Sequence, residues 1–268
     1  MKLKEVEKNI WIFSNEYIPR ELDDAFDVAQ YAWQSGQFLV AEKKFLAIVE
    51  RCPNHIDALH HLSILYGEAG YDAASYAYSQ AAVGVGLRVI PEKFSWKKSR
   101  MEWVFVENRP FMRAYHALGL WFLNHKQYSE ASESFGRLLA VCPNDNLGVR
   151  YMLPECWFAQ DMPEKVVAHC QVYQDDAGPD IQYSMALALV ALKKVESAKK
   201  ILEVACAGLP LVGKELLKKS HRKPVSYMPG TITWGGADQA YEYWHHMGKY
   251  WSASDEAMHL LKTVGGGG

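Results

Sequence analysis

The stretch MRAYHALGLWFLNHKQYSEASESFGRLLAVCP, residues 112–143, decides the fold. Tyr115, Leu118, Gly119 and Phe122 recur at i, i+3, i+4 and i+7, which places them on one face of a 3.6-residue helix. Tyr128, Ala131, Phe135 and Leu138 repeat the pattern, and Pro143 stands where a helix must stop. Gly119 and Ala131 are small where two helix backbones have to approach, and the aromatic residues fill the space around them. Two short amphipathic helices joined by a tight turn form a hairpin that needs neighbours to bury its apolar faces.

Such neighbours are written on both sides. Towards the N-terminus, Ala25, Val28, Ala29 and Ala32 make a first face, Gly36 and Phe38 a turn, Ala41, Phe45 and Ile48 a second face, and Pro53 a stop. Leu59, Leu62, Tyr66, then Gly70-Tyr71, then Ala74, Tyr78 and Ala81 give another unit, whose turn reads one residue shorter. Beyond Pro143, a unit from Asn146 turns near Met162, and one from Gln182 turns near Val195 and closes at Pro210. Pro154 lies within the first helix of the former, which predicts a kink there.

The turn positions Phe38, Tyr71, Tyr128, Met162 and Val195 are separated by 33, 57, 34 and 33 residues. With these side chains and this spacing the chain resembles the tetratricopeptide repeat, whose unit is about 34 residues. The resemblance implies an all-α, right-handed superhelix (α-solenoid) of about five helical hairpins with capping segments at both ends. We therefore expect one array over 1–268: an N-terminal cap (1–21), a short helix or extended segment carrying the apolar residues Ile10, Trp11, Ile12, Phe13, Tyr17 and Ile18, repeats 1–2 (22–81), an ordered insertion (82–110), repeats 3–5 (111–210), a C-terminal helical cap (211–262) and a flexible tail (263–268). Gly84 and Gly86 weaken a continuation of the preceding helix, and Asn108 is expected to cap the next one. The final glycines read as a linker or vector-derived scar.

Three strings carry a narrower resemblance: Glu107-Asn-Arg-Pro-Phe-Met-Arg113, Pro143-Asn-Asp-Asn-Leu-Gly-Val-Arg150, and a Gly-rich segment leading into Gln239-Ala-Tyr-Glu-Tyr243. They are similar to bacterial repeat proteins that resemble part of the suppressor of tumorigenicity seven family. That resemblance covers roughly residues 90 to 260 and implies binding rather than catalysis.

Composition narrows the function classes. Apolar residues make up 49% and charged residues 22%, the balance of a folded globular chain. A net charge of −2 argues against nucleic acid or an anionic membrane as the general partner. No apolar run approaches the roughly 18 residues of a membrane span, and the charged start lacks the apolar centre of a secretory signal. Five cysteines without paired short spacing point to a reducing compartment, so a cytoplasmic protein is expected. There is no Gly-x-Ser-x-Gly elbow, phosphate-binding loop or His-Glu-x-x-His helix, so the chain is read as a non-enzyme with no catalytic residue, cofactor or metal. Cys52, His55, His60, His61 and the His245-His246 pair lack a repeated ligand spacing.

In a helical-hairpin array the first helices of successive units line the inner wall. Helical phase assigns to that wall Phe26, Gln30, His60, His61, Arg113, His116, Arg150, Tyr151 and Tyr183, with Asp27, Ile64, Leu120, Ser184 and Leu187 nearby. Arginine suits a carboxylate or phosphate, and aromatic rings hold apolar side chains of an extended peptide. The expected function is a protein–protein interaction scaffold or adaptor binding a peptide or helix of a partner, possibly one with an acidic or carboxylate feature. Some tetratricopeptide repeats bind chaperone C-termini through a Lys- and Asn-rich set, which this chain lacks. Two alternatives stay open. One is a nucleic-acid-associated or regulatory adaptor using the basic face 193–223, where eight Lys and one Arg face three Glu. The other is an uncharacterised enzyme with a cleft at the insertion and C-terminal region.

Overall fold

Five tight turns share one backbone geometry and organise the chain. Gly36, Gly70, Lys126, Asp161 and Lys193 each adopt a left-handed conformation, with φ between 55° and 80°. The residue after each donates its N–H to a carbonyl five positions back: Gln37 to Ala32, Tyr71 to Tyr66, Gln127 to Phe122, Met162 to Trp157 and Lys194 to Leu189. This is the Schellman closure, in which a left-handed residue satisfies carbonyls left open at a helix end. The second turn has the same geometry as the rest and is no shorter.

The computed structural model describes residues 1–14, 19–225, 227–228 and 230–265. Tyr17 and Ile18 of the expected cap, and the last three glycines of the expected tail, lie outside the described residues. The chain forms two units, Met1–Arg150 and Tyr151–Gly268. Unit 1 holds strands β1 (Lys2–Glu7) and β2 (Ile10–Ser14) and helices α1 (Arg20–Gln34), α2 (Phe38–Arg51), α3 (Ile56–Glu68), α4 (Asp72–Leu87), α5 (Arg109–Asn124) and α6 (Tyr128–Val141). Unit 2 holds α7 (Leu153–Ala159), α8 (Pro163–Val172), α9 (Pro179–Ala191), α10 (Val195–Gly208), α11 (Pro210–Leu216), α12 (Ala237–Ser252) and α13 (Asp255–Gly265). The helical hairpins α1/α2, α3/α4, α5/α6, α7/α8 and α9/α10 sit on the register read from the turn residues.

In unit 1 the hairpins interlock through small residues. Ala29, Ala41 and Phe45 are fully buried in the core of the first hairpin, which joins that of the second through Ala58 and Leu62. A Cβ on Gly119 would lie 2.6 Å from Cε1 of Phe135, so α5 and α6 approach at a distance only glycine allows. Gly119→Ala is therefore expected to cost about 1–3 kcal/mol, read as a lowered urea midpoint at unchanged slope. Gly86 plays the same part between α4 and α5, since a Cβ there would lie 2.1 Å from Phe111. This corrects the expected end of the second unit: α4 runs through Gly84 and Gly86 to Leu87, because neighbouring packing outweighs the weak helix propensity of glycine.

The first fourteen residues form an antiparallel β-hairpin, with Leu3 opposite Phe13 and Glu5 opposite Trp11. It adds a small sheet to an otherwise all-α chain. It packs on the insertion and on α5: Trp11 meets Phe94 edge-on at 5.5 Å, and Phe13 meets Phe111 at 5.0 Å. The backbone joins in, as Trp11 N–H donates to the Arg100 carbonyl at 2.8 Å and Arg100 N–H to that of Asn9 at 2.7 Å. Asn108 does not cap α5 with its side chain. It reaches back to the hairpin, its Oδ1 accepting from Phe13 N–H and its Nδ2 donating to the Trp11 carbonyl, both at 3.1 Å.

Unit 2 is built around Tyr183, Tyr243 and Trp251, all buried. The Tyr243 hydroxyl accepts from Trp251 Nε1 at 3.1 Å and shares a 3.2 Å hydrogen bond with Ser184. Pro154 produces no kink. It stands in the first turn of the short α7, where its missing N–H costs nothing, and a 3-10 turn over Val149–Tyr151 comes before it.

Candidate functional site

The first helices of unit 1 bring together most of the candidate residues. From α3, Asp57, His60 and His61 project at i, i+3 and i+4, one face of the helix. Phe26 of α1 stacks on His55 at 5.5 Å and meets His61 edge-on at 5.0 Å, while Trp33 meets the same imidazole at 5.5 Å. On α5, Arg113 donates from Nη2 to both carboxylate oxygens of Asp57, at 2.8 and 3.0 Å. Its side chain remains 37% exposed, so the guanidinium fork is oriented by Asp57 yet open to solvent.

The imidazoles around this pair are uncharged at neutral pH. Burial drives His60 down to about 3, helped by the nearby charge of Arg113. Burial alone drives His116 down to about 4, and burial also lowers His55 and His61. His61 Nδ1 is 2.8 Å from the Asp57 carbonyl, and His55 Nδ1 accepts from Ala58 N–H at 3.1 Å, capping α3. His60 Nδ1 and His116 Nε2 have no hydrogen-bond partner among the described residues. Beside this face opens a cleft of about 350 Å³ lined by Asp23, Asn54, His55, Asp57 and Glu107.

The other candidates sit elsewhere. Gln30 is half-buried on α1. Arg150 and Tyr151 were expected on a first helix but lie on the 3-10 turn, because Pro154 starts α7 only after them. Arg150 is drawn inward: Asp145, whose carboxylate is 1% exposed, accepts from its Nη1 at 3.1 Å and from the N–H groups of Val149 and Arg150. Tyr151 donates to Asp176 at 2.8 Å. Tyr183 does not face outward: it is fully buried, donating to the Leu209 carbonyl at 2.8 Å and accepting from Gly213 N–H at 3.2 Å. Ser184 and Leu187 are buried with it. Asp57 joins the site without being among the expected groove residues; its signal is its place one turn before His60 and His61.

Unit 2 carries a second charged group. His246 lies 3.0 Å from Glu242 and 3.5 Å from Glu155, and Lys249 donates to Glu155 at 3.0 Å. Burial pulls His246 down, but its bonds to Glu155 and Glu242 outweigh that and raise it to about 9. All five cysteines are free thiols, and burial pushes Cys156 and Cys170 up to about 12. Among the described residues no group of three or more His, Cys, Asp or Glu is placed to hold a metal, and no helix is long and apolar enough to cross a membrane.

The strings behind the narrower resemblance have structural duties. Asn108 fastens the hairpin, Asp145 closes the loop before α7, and in the Gly-rich segment Asp238 accepts from Thr233 N–H at 2.7 Å and Gln239 from Gly235 N–H at 2.8 Å.

These hairpins and turns define a tetratricopeptide-like helical-repeat protein, a fold generally used for protein and peptide binding. The chain belongs to the family described as Transcriptional repressor TCF25, whose model matches residues 31–264. Among solved structures it is similar to the MamA protein, with 14% identity and a TM-score of 0.53 over 76% of this chain and 98% of that one. It is also similar to the TPR-like repeats of a putative kinesin light chain from Podosopora anserina, with 16% identity and a TM-score of 0.50 over 71% of this chain and 95% of that one. No curated protein matches the chain. The suppressor of tumorigenicity seven family is not among these matches.

Proposed function

We propose that the chain is a non-catalytic interaction scaffold or adaptor, and that the first helices of unit 1 bind a peptide or helix of a protein partner. The observation that supports this most is Arg113: a half-exposed guanidinium aimed by Asp57 and bordered by uncharged imidazoles and the Phe26 ring. Such a surface suits an apolar segment bearing one carboxylate, which would share the fork with Asp57. The free thiols fit a reducing, cytoplasmic setting. Partners recovered with the full chain by affinity purification should fall about ten-fold with Arg113→Ala and return in part with Arg113→Lys. Recovery that ignores Arg113→Ala would remove this face from the site.

The family's description as a transcriptional repressor supports a second reading, a regulatory adaptor associated with nucleic acid through residues 193–223. Several cations of that run are already engaged: Lys193 with Glu256, Lys218 with Glu215, and Lys223 over the Tyr227 ring. Under this reading DNA or RNA binding weakens steeply with salt and is abolished by charge reversal at Lys199 and Lys200. Binding that survives the reversal would sink it.

A further inference from the structure

The connection between α11 and α12, described over residues 217–225, 227–228 and 230–236, is fastened by His221 and Tyr227, whereas several of its large apolar side chains face solvent. His221 stacks on Trp244 at 3.8 Å with the rings 9° from parallel, and its Nδ1 is 2.9 Å from Glu215. The Tyr227 hydroxyl donates to Glu242 at 2.6 Å, and Asp238 and Gln239 hold the far end by backbone N–H groups. These bonds fix the described residues on either side of Tyr227 and at the start of α12. Val225, Met228, Ile232 and Trp234 are 107%, 64%, 55% and 63% exposed. Ordinary soluble surfaces scatter such residues singly, whereas a group of them on one short anchored segment marks a contact surface.

Cations come before this apolar group in the chain, and Lys223 reaches it, its Nζ 4.3 Å from the Tyr227 ring. Lys218, Lys219, Arg222 and Lys223 precede it directly, and Lys214 projects from α11. Lys219 and Arg222 form no ion pair among the described residues. A notch of about 270 Å³, lined by Tyr227, Met228, Gly230, Thr231, Ile232 and Glu242, opens between the apolar residues. We propose that this loop is a second docking surface, whose occupant is an acidic peptide segment of a protein partner. One apolar side chain of that segment fills the notch, while its carboxylates meet Lys219 and Arg222. Charge complementarity selects the acidic partner. The notch favours a peptide over a lipid surface or a phosphate backbone, because a discrete cavity rewards a single inserted side chain.

The test uses the full chain and a fluorescent short peptide that alternates Glu with Leu and Phe, followed by anisotropy. Its Gln-for-Glu counterpart should bind about ten-fold more weakly, and so should the parent peptide with either of two double variants, Lys219→Glu with Arg222→Glu, or Ile232→Ser with Trp234→Ser. All four residues are exposed, so unchanged circular dichroism will show that the fold survives. Absence of peptide binding, or equal binding by both double variants, overturns the proposal. It is also overturned if phosphatidylserine vesicles or an oligouridine RNA bind with this residue dependence while the peptide does not.

Discussion

Lowering the pH from about 7.5 to about 5 is expected to remove about 3 kcal/mol of folding free energy from unit 1. The cause is the pair of neutral imidazoles between α3 and α5. His60 is 7% exposed, and burial holds it at about 3, with Arg113 adding to the effect. Burial holds His116 at about 4. Both folded values lie below the 6.5 of an unfolded histidine, so the unfolded chain takes up protons first. Stability is therefore complete above about pH 6.5 and is lost as the pH falls towards the folded values. At pH 5 the loss is about 2 kcal/mol for His60 and about 1 kcal/mol for the more accessible His116 once solvent screening is allowed for. His60→Leu should remove about two-thirds of this acid sensitivity at little cost near neutrality, because His60 Nδ1 has no hydrogen bond to lose. Urea midpoints across the pH range would show it, and an acid limb unchanged by His60→Leu would rule out imidazole burial as the cause. Unit 2 has the opposite sign: the raised His246 contributes fully below about pH 6.5, and its contribution fades as the pH rises through about 9.

The same imidazoles show what a sequence can and cannot disclose. The hairpins were legible because their apolar periodicity and stop signals are local, and the second helices start where Phe38, Tyr71, Tyr128, Met162 and Val195 announce them. The turn itself was only half visible: glycine supplies the left-handed residue in the first two, whereas Lys126, Asp161 and Lys193 adopt it under tertiary constraint. At the N-terminus a short helix and an extended segment both fit, because Ile10, Trp11, Ile12 and Phe13 are all apolar, and the pairing of β1 with β2 was not readable. A strand announces itself by alternation, and here only the fold reveals that positions 11 and 13 are the deeply buried ones. Tyr183 was assigned outward for a related reason. Nine of the 13 residues of α9 are buried, so helical phase could not separate a groove face from a core face. Arg113 could be picked out as a groove cation, but its partner Asp57 stands 56 positions earlier in the chain. Long-range pairing of this kind follows from topology alone.

Asn108→Ala is expected to cost about 3–5 kcal/mol, well above the usual effect of a single substitution. Asn108 is fully buried and its one amide joins three segments. Oδ1 accepts from Phe13 N–H at 3.1 Å, while Nδ2 donates to the Trp11 carbonyl at 3.1 Å and to the Glu102 carbonyl at 3.3 Å. Alanine would take their partner from the buried Phe13 N–H and Trp11 carbonyl, each costing about 1–3 kcal/mol, and would open a cavity, while the Glu102 carbonyl keeps the Phe105 N–H at 3.3 Å. Asn108→Asp separates the two halves of the amide. The carboxylate can still accept from Phe13, but it would set oxygen against the carbonyl oxygens of Trp11 and Glu102 and bury a charge, so it should be no less damaging than alanine. The loss has a location as well as a size. Trp11 and Phe13 are packed against Phe94 and Phe111, and their backbone groups meet the rest of unit 1 through Asn108 and Arg100. Releasing the Asn108 clasp should therefore raise amide exchange in β2 before it does so in α1 or α2, and early proteolytic cuts should fall in residues 1–14. A variant within about 1 kcal/mol of the parent, or one whose exchange rises evenly through unit 1, would show that the hairpin is held by its aromatic contacts and that Asn108 is incidental to it.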